Sequence, residues 1–273
     1  MSFVFALLLI LSLHQGTFAQ EDCPVCNRNC PHVPTRLENG GCRLTAFIPE
    51  FSTYTTADEI VKFIKFAHEV ACRIYGFYSD TWFTIVSYGN KPNQNLSDYY
   101  QYDEFLTVSK KILDDYLKKP TQGSTIYLEP VLEMINNFSD NINHVYTACT
   151  NVQLVFFGQD DKIRDPTAAT TLAKKMMNGT ACAGRSQFFI IDRSTQNFSG
   201  SVFDILIKND TVLRLQGEIT RDKLRQLAYA MIFGALEAGC YPIAPGYISY
   251  ATCMNFVSAG CPGPFLLSLD QKP

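Results

Sequence analysis

The chain has 273 residues, and its 26 acidic and 23 basic side chains give a formal net charge of −3. This small negative excess gives no support to a polyanionic partner such as nucleic acid or heparin. Hydrophobic residues make up 47% of the chain, which excludes a disordered protein and allows one large domain or two small ones.

The first nineteen residues form an apolar run that ends in small residues. They read MSFVFALLLILSLHQGTFA, which is typical of a secretory signal peptide, although no basic residue precedes the apolar core. This core is too short for a membrane span, and no later stretch reaches the roughly 18 apolar residues that a span requires. We therefore expect a secreted, extracellular protein without a membrane span.

Ten cysteines follow the signal peptide, and an even count in a secreted chain predicts disulfide bonds. The C-x₂-C and C-x₃-C spacings of CPVCNRNC would suit zinc or redox chemistry in a cytosolic protein, but a secreted context favours disulfides. Five bridges allow about 945 pairings, and Cys72 and Cys149 are compatible with either a bridge or a buried thiol. The ten are Cys23, Cys26, Cys30, Cys42, Cys72, Cys149, Cys182, Cys240, Cys253 and Cys261.

Short apolar strands alternate with amphipathic helices along the chain. A strand is predicted over Arg43–Pro49 and a helix over Ala57–Tyr75, with apolar residues at three- and four-residue steps and Thr55 or Thr56 as its cap. The further predictions are strands over Thr81–Asn90, Leu96–Gln101, Asn151–Gly158, Ser186–Asp192 and Thr211–Gln216, and helices over Asp103–Leu117, Thr125–Asn136, Pro166–Met177 and Thr220–Leu236.

Strands that are apolar throughout and separated by helices indicate a parallel sheet covered on both faces. The fold class is therefore α/β, a doubly wound, mostly parallel sheet with helices on both faces. This domain is predicted over residues 43–238. It follows a Cys-rich segment, residues 20–42, and precedes a Cys-containing tail, residues 239–273, so that both termini are predicted to be held by disulfides.

Five N-x-S/T tripeptides are candidate N-glycosylation sites. One such tripeptide is a weak signal, but all five fall between the predicted elements, where a glycan leaves the core undisturbed. Their asparagines are Asn95, Asn137, Asn178, Asn197 and Asn209.

The order and spacing of several segments resemble the von Willebrand factor A-type domain. The resemblance covers roughly residues 43–236 and rests on a first strand ending in E-x-S, on WFTIVSYGN, on GST before a helix, and on VQLVFFGQ and SQFFIIDRS. It implies an extracellular binding or adhesion function in which loops at the carboxyl ends of the strands contact a protein or glycan ligand.

The resemblance also implies a divalent cation, held by D-x-S-x-S in the first loop, a Thr in the second and an Asp in the third. The matching positions are Glu50, Ser52 and Tyr54, then Thr125, then Gly158 followed by Gln159, with Asp160 coming late. Hard cations require oxygen ligands and carboxylate charge. The weak candidates for metal ligands are thus Glu50, Ser52, Thr125 and Asp160, and the sequence favours a loop that binds no ion.

No arrangement of a nucleophile with a base is visible in the sequence. The histidines after the signal peptide are scattered, and the chain has no G-x-S-x-G, no H-E-x-x-H and no glycine-rich phosphate loop. We therefore expect a binding protein without catalytic residues or a cofactor. The alternatives are a secreted enzyme or small-molecule-binding protein that uses the same sheet edge, and a structural or decoy protein. The cluster Tyr99, Tyr100 and Tyr102 is a candidate recognition surface.

Overall fold

The computed structural model describes most of the predicted domain. The described residues are 42–77, 81–120, 123–140, 149–178, 186–195, 200–207, 214–217, 220, 223–224, 227–228 and 231. The predicted signal peptide, nearly all of the Cys-rich segment and the Cys-containing tail lie outside them, as do Asn197 and Asn209.

Six strands form one sheet, and every strand pair in it is parallel. The order is β2-β1-β4-β5-β6, and the short β3 pairs with the end of β1. The predicted α/β class is confirmed. The strands are β1 (Cys42–Phe51), β2 (Thr81–Ile85), β3 (Tyr88–Gly89), β4 (Cys149–Gly158), β5 (Ser186–Asp192) and β6 (Arg214–Gln216).

Helices connect these strands and cover both faces of the sheet. They are α1 (Ala57–Phe77), α2 (Tyr102–Lys118), α3 (Glu129–Asp140), α4 (Pro166–Asn178) and α5 (Val202–Ile207). Within the predicted closing helix, the described residues 223, 224, 227, 228 and 231 are helical. No helix in the described ranges is long and apolar enough to cross a membrane.

Two hydrophobic cores separate the sheet from its helices. Alternate residues of each strand point to opposite faces, so Phe47 belongs to one core and Ala46 to the other. The first layer consists of α1, α2 and the helical residues 224, 227, 228 and 231, which share one core. The second layer consists of α3, α4 and α5, which share the other.

The helix predicted from Thr125 begins four residues later. Ile126 pairs with Ile163 and Tyr127 pairs with Gly89, so this stretch is extended up to Glu129. The helix then carries its proline in the first turn, where no backbone hydrogen bond is lost. The apolar periodicity predicts the helix correctly, but the bridges that Ile126 and Tyr127 form with distant residues determine its first residue.

Three other predictions need correction. The strand predicted over Thr81–Asn90 is interrupted between β2 and β3, and the predicted edge strand reduces to one antiparallel bridge between Tyr100 and Phe83. The six-residue helix α5 was not predicted. Asn137 lies within α3 and not after it, although its side chain is exposed.

His68 on α1 joins the two helices of the first layer. Its Nε2 lies 2.6 Å from the Ser109 Oγ of α2, and its ring packs edge-on against Phe105. Burial lowers the pKa of His68 from 6.5 to about 4. The unfolded chain therefore takes up a proton below pH 6.5 that the folded chain refuses until about pH 4.

We expect the free energy of unfolding to fall as the pH drops through this window, by up to about 3 kcal/mol from His68. Urea unfolding at pH 7 and at pH 4.5 measures the difference. His68→Gln keeps a hydrogen-bonding side chain beside Ser109 but does not titrate, so its loss between the two pH values should be smaller. An equal loss in both proteins would show that His68 is not responsible.

Candidate functional site

The carboxyl ends of β1 and β4 lie side by side, since Pro49 pairs with Phe157. The loops that follow β1, β4 and β5 therefore meet at one edge of the sheet, which we call the carboxyl edge. In open α/β sheets this edge is where ligands usually bind. It is also where the sequence placed the candidate ligand residues.

Glu50, near the end of β1, is fully buried at 0% exposure. Its Oε1 accepts hydrogen bonds from the Ser52 hydroxyl and from the Thr55 hydroxyl, whose Oγ1 is 3.2 Å away. Gln159 donates its backbone N–H to Oε2 at 2.8 Å and its side-chain N–H to Oε1 at 3.4 Å. Four donations therefore reach this carboxylate, which has about four lone-pair sites.

The pKa of Glu50 is raised above its ordinary value of 4.5, because burial removes the hydration of the charged form. The hydrogen bonds from Ser52, Gln159 and Thr55 act in the opposite direction and lower the pKa. The surrounding donors thus offset part of the penalty for burying the carboxylate. All of these hydrogen-bond donors belong to residues of this chain.

The loop after β1 ends in a capping box. The Thr56 N–H donates to Glu59 Oε2 at 3.0 Å, and the Glu59 N–H donates to Thr56 Oγ1 at 3.3 Å. This confirms the predicted cap of α1 and assigns it to Thr56, while Thr55 bonds to Glu50. Glu59 also forms an ion pair with Arg193, which follows β5. The start of α1 is therefore tied to two loops of the carboxyl edge.

Asp160 is bound to α5 and not to the Glu50 loop. Its Oδ2 accepts the Phe203 N–H at 2.8 Å, and its Oδ1 accepts the Ser194 hydroxyl at 3.0 Å. Burial raises the pKa of Asp160, and the hydrogen bonds from Phe203, Ser201 and Ser194 oppose that rise. The side chain is 6% exposed and fully engaged in joining the loops after β4 and β5 to α5.

The loop before α3, which contains Thr125, contacts the loop after β1 through its backbone. The Thr53 N–H lies 3.3 Å from the Gly123 carbonyl oxygen. Thr125, the candidate ligand in this loop, is half-buried, and the hydrogen bonds found in the described ranges include none to its side chain. Thr125 is therefore near the first loop by chain position, but it shares no hydrogen bond with Glu50 or Ser52.

These residues do not fit a divalent cation. Ser52 Oγ already accepts the Tyr54 N–H at 3.0 Å while its proton goes to Glu50, and the two candidate carboxylates, Glu50 and Asp160, have separate hydrogen-bond partners. Asp160 is committed to α5, and no group of three or more acidic, His or Cys side chains converges within the described part of the chain. The enzyme alternative would need Glu50 and Asp160 around one cavity, and their separate hydrogen-bond partners give it no support.

Tyr88 on β3 brings a phenol against this buried group of acids. It is 1% exposed, and its hydroxyl has no hydrogen-bond partner among the described residues. Burial raises the pKa of Tyr88 well above 10, and the negative charges of Glu50, Asp160 and Asp192 raise it further. A Cβ added to Gly158 would lie only 2.2 Å from this hydroxyl, so the site is closely packed.

A buried ion network beside the site was not predicted. Asp192, at the end of β5, is 1% exposed and accepts from Arg214 of β6 through Nε at 2.8 Å and Nη2 at 2.5 Å. Arg214 also pairs with Asp204 of α5. The sequence offered one signal, since a lone arginine within an apolar strand requires a partner when it is buried.

The three tyrosines proposed as a recognition surface do not act together. Tyr99 packs at right angles on Trp82, Tyr102 stacks on Tyr75 at 5.0 Å, and Tyr100 accepts a hydrogen bond from Gln94. Tyr99 belongs to the second core and the other two to the first. All three are half-buried, so packing explains them without a ligand.

Of the ten cysteines, three lie in described elements. Cys42 and Cys149 begin β1 and β4 and pair in the sheet. Cys72 is buried on α1 and is disulfide-bonded, which decides between the bridge and the thiol that the sequence left open there. The other seven cysteines lie outside the described residues, and their bridges stay a prediction.

No family model matches the chain, and no curated protein matches it. Solved structures do match. The SpRpn10 VWA domain is 15% identical, the match covers 76% of this chain and 100% of that chain, and the TM-score is 0.47. A von Willebrand factor type A structure from Catenulispora acidiphila is 9% identical over 70% of this chain and 37% of that chain, with a TM-score of 0.39.

The manganese-loaded Plasmodium vivax TRAP protein is also similar, with 15% identity over 81% of this chain and 72% of that chain and a TM-score of 0.40. At these identities the likeness concerns the fold and not the ligands of those proteins. What this domain can bind must therefore follow from its own carboxyl edge, where Glu50 accepts hydrogen bonds from Ser52, Thr55 and Gln159.

Proposed function

We propose that this chain is a secreted glycoprotein whose von Willebrand factor A-like domain binds an extracellular protein through its carboxyl edge, without a divalent cation. The observation that supports this most is that the buried Glu50 carboxylate accepts four hydrogen bonds from within the chain. Because Ser52, Thr55 and Gln159 already occupy its oxygens, the loops are held in place by hydrogen bonds within the chain. A partner would meet a preformed surface, which reduces the entropy lost on binding.

The exposed side chains of this edge suit a protein partner. Tyr54, at 44% exposure, stands in the first loop, and its N–H donates to the buried Ser52 Oγ at 3.0 Å. Lys162 and Arg164 are exposed in the loop after β4. Tyrosine and arginine are enriched in the centres of protein interfaces, because they offer a large area and directional hydrogen bonds.

Calorimetry with Mg²⁺, Mn²⁺ and Ca²⁺ tests the absence of a cation. Secreted, glycosylated protein should release no binding heat at millimolar ion, and Glu50→Ala should behave in the same way. Heat in the native protein that disappears in Glu50→Ala and in Thr125→Ala would overturn the proposal. It would restore a cation site at the carboxyl edge.

A binding screen against purified extracellular proteins and an array of glycans, run in EDTA, tests the partner and the surface. We expect a protein ligand whose affinity falls at least about tenfold with Tyr54→Ala, which corresponds to roughly 1.4 kcal/mol. Lys174→Ala, on exposed α4, is the matched control and should bind like the native protein. Binding lost in EDTA, binding of glycans alone, or equal effects of both variants would contradict the proposal.

A further inference from the structure

Two large hydrophobic side chains are exposed in the described part of the chain, and both lie at the carboxyl edge. They are Tyr54, at 44% exposure, in the loop after β1, and Leu117, at 41%, in the last turn of α2. Tyr116 connects their positions, because its hydroxyl donates to the Thr55 carbonyl oxygen at 3.3 Å. The two exposed residues thus directly precede and follow one contact between the loop and the helix.

Leu117 continues the row of α2 side chains that faces the core. Ser109 and Leu113 are buried four residues apart, and Leu117 is the next member of that row. Tyr116, on the same side of the helix, is buried against the Phe51 ring at the end of β1, with 4.4 Å between the ring centroids. The helix α2 therefore reaches past the core, and its last apolar side chain stays exposed beside the end of β1.

The chain that follows α2 returns to the loop after β1. Gly123 accepts the Thr53 N–H at 3.3 Å, and Lys119 stands only four residues before Gly123. Four residues span at most about 14 Å, so the end of α2 lies within roughly that distance of the residues beside Tyr54. Lys118 and Lys119 are both exposed, and they therefore border the same part of the carboxyl edge.

These two lysines are the outermost charges of α2 at this end. Asp114 and Asp115 lie one helical turn before them and so farther from the carboxyl edge. The ion pairs found in the described ranges include neither Lys118 nor Lys119. Their ammonium groups can therefore meet the charges of a partner.

Arg164 is a third exposed cation near the loop after β1. Its N–H donates to the Ile126 carbonyl oxygen at 2.8 Å, in the loop before α3 that contacts the loop after β1. Its acidic neighbour, Asp165, accepts a backbone N–H at the start of α4. Asp58 and Glu59, at the start of α1, each form an ion pair with a basic residue of the chain. These three acidic side chains are engaged within the chain, whereas the three cations are exposed to a partner.

We propose that Tyr54 and Leu117, which we call the apolar pair, form one contact surface for an acidic protein segment that carries a large apolar side chain. This rests on the proposed function, and it adds the end of α2 and the chemistry of the partner. The apolar side chain packs on the apolar pair, and carboxylates beside it meet Lys118, Lys119 and Arg164. An anionic membrane suits this surface less well, because a helix that binds at a membrane surface buries a longer apolar face than two side chains.

Selection from a displayed library of random peptides tests which chemistry the surface prefers. Native protein in EDTA should enrich peptides in which two or more Asp or Glu residues flank a Leu, Phe or Trp. The affinity of an enriched peptide, measured by fluorescence anisotropy, should fall at least about fivefold with Leu117→Ser and with Lys118→Glu. Raising the NaCl concentration from about 0.05 M to about 0.5 M should also weaken binding several-fold.

Lys111→Glu is the matched control for the charge reversal. Lys111 is exposed on nearly the same face of α2 as Lys118, but it lies seven residues earlier and so roughly 10 Å farther from the carboxyl edge. This variant should bind the enriched peptide like the native protein. Circular dichroism checks that each variant is folded, and Lys118→Glu tests the surface independently of any effect of Leu117→Ser on folding.

Four results would contradict the inference. They are enrichment of no peptide, enrichment of peptides without acidic residues, equal effects of Lys111→Glu and Lys118→Glu, and displacement of the peptide by phosphatidylserine vesicles that bind through Leu117. A protein ligand from the screen in EDTA that loses affinity with Tyr54→Ala but not with Leu117→Ser would sink this inference alone and leave the proposed function standing. Loss of that ligand in EDTA would instead overturn the proposed function.

Discussion

Gly158→Ala is expected to lower the free energy of unfolding by about 3 kcal/mol or more. Gly158 ends β4 with a φ of +155°, and a Cβ there would lie 2.2 Å from the Tyr88 hydroxyl and 2.6 Å from Glu50 Oε2. Both neighbours are buried, and Glu50 is held by four hydrogen-bond donations. They cannot withdraw without breaking that arrangement, so the methyl group must displace the end of β4.

Urea unfolding of the native protein and the variant measures the loss, which corresponds to a fall of roughly 6–12 °C in Tm for a domain of this size. Gly217→Ala is the matched control. Gly217 has a φ of +71°, but no atom of the described residues lies within 4 Å of the position that an added Cβ would take. This control measures the loss of stability caused by an alanine at positive φ alone, which is about 1 kcal/mol. Equal losses in the two variants would show that packing against Tyr88 and Glu50 is unimportant.

The repeating features of the fold could be predicted from the sequence, because they depend on local patterns. The predicted strand over Ser186–Asp192 has the observed bounds, and α2 and α4 differ from their predictions by one residue at the affected ends. Apolar periodicity identifies such elements, since each has one buried face or is buried throughout. The short α5 was missed because six residues hold too little of the period.

The hydrogen bonds of the carboxyl edge could not be predicted in the same way. Gln159 stands where the resemblance requires an aspartate, and the sequence alone presented it as a missing ligand. In the structure it is the partner of Glu50 across 109 positions of the chain. The glutamate, one methylene longer than aspartate, reaches the Gln159 N–H, and the two departures from the family pattern therefore explain each other.

The hydrogen-bond partners of Asp160 could not be predicted from the sequence either. Its position after β4 suggested a late ligand, but its hydrogen bonds go to Ser194 and to Phe203 at the start of α5. That helix was absent from the prediction, so the sequence offered no competing partner for the carboxylate. A residue's function at such an edge depends on which loops the sheet order brings together.

Arg214→Met is expected to cost about 3–5 kcal/mol, the largest effect of a charge substitution in this domain that we predict. Arg214 is 8% exposed and bonds to Asp192 through two nitrogens and to Asp204 through the third. Removing the guanidinium leaves Asp192, at 1% exposure, as a buried charge without its cation. The penalty comes mainly from that uncompensated carboxylate and less from the lost attraction itself.

A second substitution separates the two contributions. Asp192→Asn in the Arg214→Met background removes the buried charge, so the double variant should be more stable than Arg214→Met alone. Lys62→Ala is the surface control, because Lys62 and Asp58 are 66% and 71% exposed and their pair is worth less than about 0.5 kcal/mol. Urea unfolding compares all three with the native protein. If the double variant is no more stable than Arg214→Met, packing and not charge accounts for the loss, and the ion network is then dispensable for joining β5, β6 and α5.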